Sequence, residues 1–406
     1  MSNKSCDNIV AVSEKKPSIV IVNNNMKLGG VQKSLLDLLV EIEPLYDITL
    51  CLLYPQGAYM DKLPAGVKVM SCSSAYKYFG MSQAESKNSR KDFFARSFLA
   101  VVSRAFGRMF ATRVISLFSK KLDGEYDVAI SFMHDAGRYN LYGGCNDFVL
   151  SKIKAKKKIT FLHCDYQKCG CNFDKSNLIY DGFDRIAACS EGCRKTFLKA
   201  LPQHEHKTST VTNCHDFDNI LKMADENTVS YDNSAVNVLM VARLGAEKGI
   251  DRALAALKYA NDRGVNAHLH IVGGGNLQGE LEALSRDLGV SERVSFYGEQ
   301  KNPYRYMKNA DILLIASYHE AAPLVIDEAI SLGVPVLSTA TTSSDDMILD
   351  RGCGWVCENE QSAINDAFLS VVSNVDDLKR MKASVLDKRL VNNDVARKQF
   401  EEIIEN

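Results

Sequence analysis

Ser317-Tyr-His-Glu-Ala-Ala-Pro-Leu-Val-Ile-Asp-Glu-Ala-Ile-Ser-Leu-Gly-Val-Pro-Val-Leu-Ser338 holds two glutamates, Glu320 and Glu328, with seven residues between them. The stretch before it, Ala310-Asp-Ile-Leu-Leu-Ile-Ala316, is a short apolar run of strand length. From Pro323 the spacing predicts a helix. Proline suits a first turn, Leu324, Glu328 and Ile330 to Leu332 keep helical spacing, and Gly333 ends it. Val334 to Leu337 is a second strand of the buried type. Glu320 then falls at the carboxyl end of one strand, and Glu328 about a turn and a half into the following helix. In open α/β sheets ligands bind at that strand end, and the free N–H groups near Leu324 and Val325 suit a phosphate. Ionised carboxylates only accept hydrogen bonds, so both glutamates suit the hydroxyl-rich parts of one ligand.

A second half of such a site lies upstream. Val238-Leu-Met-Val-Ala242 reads as a strand, followed by Arg243-Leu-Gly-Ala-Glu-Lys248-Gly249 and a helix over Ile250 to Ala260. Two cations on a loop leaving a strand suit a diphosphate, Arg as a planar fork and Lys as a point charge. Together Arg243, Lys248, Glu320 and Glu328 resemble the donor site of the retaining glycosyltransferases of family 4. The resemblance runs over roughly Val236 to Cys357 and includes His270-Ile-Val-Gly-Gly-Gly275, Val294-Ser-Phe-Tyr-Gly298 and Tyr306-Met-Lys-Asn-Ala-Asp-Ile-Leu-Leu-Ile-Ala316. It implies the GT-B fold, an α/β architecture of two Rossmann-like domains facing across a cleft, with a C-terminal helix crossing back to the first domain. Two departures stand out. Ala321-Ala322-Pro323 replaces the Gly-Phe-Pro common after the first glutamate, and Cys214-His215-Asp216 follows Asn213 where a small Gly or Pro is usual.

The first half alternates strands and helices in the same way, as parallel βαβ units require. Strands are expected at Ser18 to Val22, Ile48 to Tyr54, Val67 to Cys72, Val128 to Phe132, Lys158 to Leu162, Arg185 to Cys189 and Thr208 to Val211, with a helix over Val31 to Ile42. The organisation read from this is a polar tail over 1–16, a first domain over 17–223, a linker at 224–234, a second domain over 235–390 and a C-terminal helix within 391–406. Helices are expected over Gln361 to Val372 and Val375 to Leu386, and Asn393 to Glu405 could cross back.

A length of 406 residues allows two or three domains, and 46% hydrophobic residues is ordinary for a globular protein. Net charge is −1, which predicts no general affinity for nucleic acid. No apolar secretory segment opens the chain and no apolar run spans a bilayer, so a cytoplasmic location is expected. Twelve cysteines are then expected to be reduced thiols. His163, Cys164, Cys169, Cys171, Cys189 and Cys193 cluster in sequence, but Cys189 ends a strand and the set lacks the paired spacing of a structural zinc site. No metal site is expected.

Gly29 and Gly30 follow the first strand and open a helix, where glycine lets the backbone approach a ligand or simply makes a turn. The resemblance places this pair opposite the donor phosphates. His163 ends an apolar strand, where a lone histidine is often structural. The resemblance points it into the cleft near the anomeric centre, with His134 as its competitor on the acceptor side. The segment 87–121 carries nine cations, from Lys87 to Lys121, against Asp92 alone, interleaved with Phe93, Phe94, Phe98, Phe106, Phe110 and Phe118. It reads as a basic amphipathic helix able to lie on an anionic membrane surface, or as a packed helix with a solvated basic face.

The resemblance implies a metal-independent transferase that moves a sugar, with retention, from a nucleotide-diphosphate sugar to a glycan or lipid-linked acceptor. No cofactor is implied. A UDP-sugar is the first choice of donor and a GDP-sugar the second. Arg243, Lys248, Glu320 and His163 would serve the reaction. Gly29, Gly30, Gly298, Ala321, Ala322, Pro323, Leu324, Val325 and Glu328 would join them in holding the donor. The setting implied is surface polysaccharide assembly at the inner face of the membrane. Two other readings share the architecture: a GT-B epimerase or phosphorylase, and a catalytically inactive partner subunit of an active transferase.

Overall fold

The computed structural model describes residues 16–72, 74–135, 137, 140–170, 174–388 and 392–405. Cys171 and all but the last residue of the expected tail lie outside the described residues. The apolar runs of the first half form β1 (Ser18–Asn23), β2 (Asp47–Leu52), β3 (Lys68–Ser71), β4 (Tyr126–Ser131), β5 (Ala155–Leu162), β6 (Arg185–Ala188) and β7 (Thr208–Thr210). They join in the order β3-β2-β1-β4-β5-β6-β7, every neighbouring pair parallel. The second half supplies β8 (Val236–Val241), β9 (Ala267–Val272), β10 (Val294–Phe296), β11 (Ile312–Ile315), β12 (Val336–Thr339) and β13 (Gly354–Cys357). Their order is β10-β9-β8-β11-β12-β13, again all parallel.

Parallel strands need crossovers, and helices on both faces bury both sides of each sheet. That is why β1 and β11 read as continuous apolar runs rather than alternating ones. Ile19 and Ile21 enter the core on one face of the first sheet, Val20 and Val22 the core on the other. In each sheet the strand order reverses once, between β1 and β4 and between β8 and β11. Those are the points where loops diverge to opposite faces and leave a crevice at the carboxyl ends.

Three differences from the sequence reading have physical causes. The basic segment is two helices, Arg90–Phe106 and Arg108–Leu117, because Gly107 takes φ of +87° and turns the chain. The crossing between domains falls at Thr212 to Asp216, ahead of the polar stretch 224–234. The helix Phe217–Asp225 already packs on the second domain, Ile220 and Ala224 lying against Tyr304. The stretch after it is bound down too: the Val229 N–H donates to Arg305 O (3.0 Å) and the Tyr231 hydroxyl to Tyr306 O (2.6 Å). Finally, β6 ends at Ala188, so Cys189 begins the turn into the next helix.

The last helix, Asp394–Glu405, crosses back to the first domain. Ala396, Phe400, Ile403 and Ile404 join the core beside Tyr46 and Ile48. Phe400 meets the Tyr46 ring edge-on at 6.1 Å between centroids. Burying side chains of this size contributes roughly 1.5–3 kcal/mol each. Lys157 Nζ donates to Ile404 O (2.6 Å) and the Thr212 N–H to Gln399 Oε1 (2.9 Å), which ties the helix to the crossing segment.

The helix pair over 90–117 buries Leu99, Ala111 and Ile115 and has a charged anchor among them. Arg108 is enclosed, its guanidinium paired with Asp135 just past β4 and with Asp147 (2.7 Å). Thr112 Oγ1 donates to the other Asp147 oxygen at 3.2 Å. The opposite side of the pair is bare: Phe94, Phe98, Val101, Phe106 and Phe110 are exposed, and so are Leu117 and the following Phe118.

Candidate functional site

Strand-order reversal in the second sheet makes β8 and β11 neighbours, so their carboxyl-end loops border one crevice. Gly249 closes the first loop with φ of +62°, and a Cβ there would stand 2.1 Å from Ala316 O. Only glycine permits that approach. Lys248 is thereby brought onto Glu320, Nζ to Oε1 at 2.6 Å, and Ser317 Oγ donates to the same oxygen at 2.7 Å. The two charged side chains are 20% and 13% exposed, so their pairing is only partly screened by water.

The loop after β11 is braced from beneath. Asn359 Nδ2 donates to Ser317 O (3.3 Å), Tyr318 O (3.0 Å) and Ala340 O (3.0 Å). Arg252 donates to Ala316 O (3.2 Å) and Asn359 Oδ1 (2.7 Å) and lies over the Tyr318 ring. These partners hold the main chain around Glu320 before any ligand arrives.

A cavity of about 270 Å³ opens above this pair, between the domains. The second domain lines it with Lys248, Ser317, Glu320 and the run Ala321 to Val325; the first lines it with Gly30, Val31, Ser34, His163, Cys189 and Asn213. Gly30 begins the helix Gly30–Ile42, and no atom lies within 4 Å of where its Cβ would be. Its bare backbone therefore faces open space at a helix N-terminus, the geometry that accepts an anion. Ser34 Oγ, one turn on, donates to Asn213 Oδ1 at 2.6 Å.

His163 enters from the end of β5. It stacks on Phe161 at 5.8 Å and 15° and leans on Phe132 at 4.7 Å. Burial, helped by nearby His134, pushes its pKa down to about 3, so the ring is neutral at physiological pH. Its Nε2 has no hydrogen-bond partner among the described residues. A neutral imidazole with an unmet nitrogen suits a ligand hydroxyl better than a phosphate.

Four expected site residues and the competing histidine lie elsewhere. Arg243 turns outward, 77% exposed, and pairs with Glu247 at 2.9 Å on its own loop. Glu328 is buried, accepts from the Tyr304 hydroxyl at 3.0 Å and does not line the cavity. Gly298 has φ of +66° and accepts from the Gly273 N–H at 2.8 Å, away from the cavity. Gly29 sits behind Gly30 in extended backbone, with Gln32 where a Cβ would go. His134 is half-buried just past β4, and desolvation lowers its pKa.

Sequence reasoning missed Ser317, Ser34, Asn213 and the supports Arg252 and Asn359. A Ser three residues before Glu320 was a usable signal; Asn359 lies too far along the chain to be one. His215, noted only as a departure, joins the domains. Its Nε2 lies 3.1 Å from Asp327 Oδ2, and Arg351 donates to Asp327 Oδ1 at 2.5 Å. Burial would raise the Asp327 carboxyl, but these two partners hold it at about 2.

Residues 227–385 match the family model described as Glycosyl transferases group 1, a span that contains Lys248, Glu320 and Glu328. The chain is 36% identical over 119 residues to the lipopolysaccharide glucosyltransferase WaaG of Escherichia coli, 29% of this chain and 32% of that protein. It is 28% identical over 208 residues to the N-acetylgalactosamine-N,N'-diacetylbacillosaminyl-diphospho-undecaprenol 4-alpha-N-acetylgalactosaminyltransferase of Campylobacter jejuni, 51% of this chain and 55% of that one. The chain thus spans about a third to a little over half the length of these curated relatives. In structure it resembles HepE of Anabaena in complex with UDP-glucose, with a TM-score of 0.66 over 95% of this chain and 99% of that one at 16% identity. Its fold is GT-B.

Proposed function

We propose that the chain is a retaining glycosyltransferase that transfers a sugar from a nucleotide-diphosphate sugar to a glycan or lipid-linked acceptor. The observation that carries this reading is the Lys248–Glu320 pair at the strand ends of one domain, facing Gly30 and His163 of the other across a single cavity. The family match over 227–385 supports it. A UDP-sugar is the preferred donor, in keeping with the UDP-glucose held by the HepE structure. Surface polysaccharide assembly is the preferred setting, in keeping with the names of the relatives.

In this mechanism the diphosphate lies between Lys248 and the free N–H groups of Leu324, Val325 and the Gly30 turn. As the bond to the anomeric carbon lengthens, negative charge grows on the phosphate, and those fixed donors stabilise it. Arg243 joins them by leaving Glu247, which costs little because exposed ion pairs are worth about 0–1 kcal/mol. Glu320 accepts from sugar hydroxyls, and neutral His163 meets another near the anomeric carbon. The acceptor hydroxyl attacks from the face the phosphate is leaving, and its proton passes to a phosphate oxygen. Glu328 would reach the ribose hydroxyls by exchanging its Tyr304 partner.

The cations take the place of a metal in this reading, and no metal is required. Thermal shift of the purified chain against UDP, GDP, ADP and their sugar conjugates, with and without EDTA, tests it. A ligand at about a hundred times its dissociation constant adds roughly 2.7 kcal/mol. The expected result is a rise in melting temperature with one nucleotide, UDP first, unchanged by EDTA. A rise that EDTA removes would end the metal-free version, and no rise with any of them would end the transferase reading.

The acceptor side of the proposal uses the helix pair over 90–117. Its exposed Phe98 and Leu117 lie among Arg and Lys side chains, an arrangement that suits insertion below anionic headgroups at about 1 kcal/mol per near-surface cation. No helix among the described residues is long and apolar enough to cross a membrane. Co-sedimentation with phosphatidylglycerol vesicles is expected for the parent chain and should drop about tenfold or more for Phe94→Ser/Phe98→Ser/Leu117→Ser. Equal binding of parent and triple variant would remove this face from the proposal.

A further inference from the structure

We infer that the first domain completes the ligand loop of the second, through a hydroxyl relay that ends on the main-chain carbonyl of Ala321. The relay is a matter of geometry; what the loop binds rests on the transferase reading above. Ala321 follows Glu320 directly. Its carbonyl oxygen accepts from Ser343 Oγ and from Cys193 Sγ (3.4 Å), and Ser190 Oγ stands 3.2 Å away. The two serine oxygens are 2.6 Å apart.

Proton counting orders these contacts. Ser190 Oγ already accepts from the Cys193 N–H at 3.1 Å, as the cap of the helix Glu191–Ala200. A hydroxyl has one proton to give. Ser190 gives its proton to Ser343 Oγ, Ser343 gives its own to Ala321 O, and the Cys193 thiol fills the second lone pair. Ser190 and Cys193 belong to the first domain, Ser343 and Ala321 to the second, and all but Ala321 are buried.

Two neighbouring contacts seal the same seam. Thr342 Oγ1 donates to Asp165 Oδ2 at 2.7 Å. At Gly192 a Cβ would stand 1.7 Å from Thr342 O and 2.6 Å from its carbon, so the domains meet with no room for a side chain.

The consequence is directional. Rotation of the Ala321 carbonyl turns the peptide that joins Ala321 to Ala322, between Glu320 and the N–H groups of Leu324 and Val325. While the domains are together the relay holds that peptide; when they part, Ser190 and Cys193 leave, Ser343 loses the partner that orients its hydroxyl, and the loop relaxes. Ser190 and Ser343 are positioning residues, and Gly192 sets the distance of approach. Lys248 and the rest of the second domain bind a nucleotide without the relay, so its loss belongs in turnover rather than in affinity.

The test uses the full chain with Gly192→Ala, Ser190→Ala/Ser343→Ala, and Ser190→Thr, which keeps a hydroxyl. Amide hydrogen exchange should rise about tenfold over 318–325 in the first two variants, the scale of one lost buried hydrogen bond, with β8 and β9 unchanged and Ser190→Thr near the parent. Turnover of UDP-glucose or GDP-mannose should fall about tenfold in the same two, with KM within about threefold. Parent-like exchange over 318–325 in both would overturn the relay. If a variant also loses protection in β8 and β9, the contrast of Ser190→Thr with a fourth variant, Ser190→Ala alone, decides, and equal exchange in those two overturns it. A parent chain that turns over neither sugar nucleotide counts against the transferase reading alone, since exchange still judges the relay.

Discussion

Lys248→Met is expected to lower sugar-nucleotide turnover by about 10²–10³-fold, the usual cost of removing one fixed donor from a site where negative charge develops. Its ammonium is, among the described residues, the cation of the second domain that lines the cavity, 2.6 Å from Glu320. Methionine keeps the stem and removes the charge, so the packing of the loop survives. Glu320 keeps its bond from Ser317 Oγ. Stability should fall by about 1.5–3 kcal/mol, the range for a hydrogen bond to a charged group, which is a melting shift of several degrees for domains of this size. Steady-state kinetics beside a melting curve separates the two effects. Near-normal turnover in this variant would mean the diphosphate is neutralised elsewhere, with Arg243 the first place to look.

Arg108→Leu carries the largest expected loss of stability, about 3–5 kcal/mol. The guanidinium is 1% exposed and Asp135 is wholly enclosed, so deleting the cation removes the positive charge that offsets a carboxylate out of reach of water. Asp147 is less affected, being partly exposed and bonded to Thr112 as well. A drop of roughly 10 °C follows at about 2–4 °C per kcal/mol. Arg108→Leu/Asp135→Asn should recover much of it, because the stranded charge is gone. Thermal and urea unfolding check both variants, and a single variant melting within a degree or two of the parent would show that Arg108 is not the anchor of the helix pair.

The sequence was most legible where both faces of an element are buried. Strands such as β1 and β11 announce themselves as apolar runs, and ligands bind at carboxyl strand ends, so Lys248 and Glu320 could each be placed at such an end, and the resemblance to a donor site put them together. The direction of long polar side chains was not legible. Arg243 sits where expected on the chain, but Glu247, four residues on, offers a nearer partner than the cavity does. Glu328 keeps its place on the helix, yet Tyr304 and the closeness of the first domain enclose it. Across from it Asp37, raised to about 6 mainly by burial and restrained by Lys33, shows how little water remains there. Gly107 was a break hidden in an otherwise helical pattern, and its left-handed φ divides one expected helix into two. Contacts between the domains were the least legible of all. A relay such as Ser190 to Ser343 joins residues 153 apart, and no local pattern marks them.

The crossing of the last helix bears on how the chain is made. Domains commonly fold in order as they leave the ribosome. Here Phe400, Ile403 and Ile404 belong to the core around β1 and β2, so the first domain to emerge is the last to be finished. Until the helix Asp394–Glu405 is made, Tyr46 and Ile48 lack those core partners, while the helices and strands of the second domain, which run to Lys388, can already be folded. The helix Asp394–Glu405 acts as a closing key for the first domain, although it is made after the second.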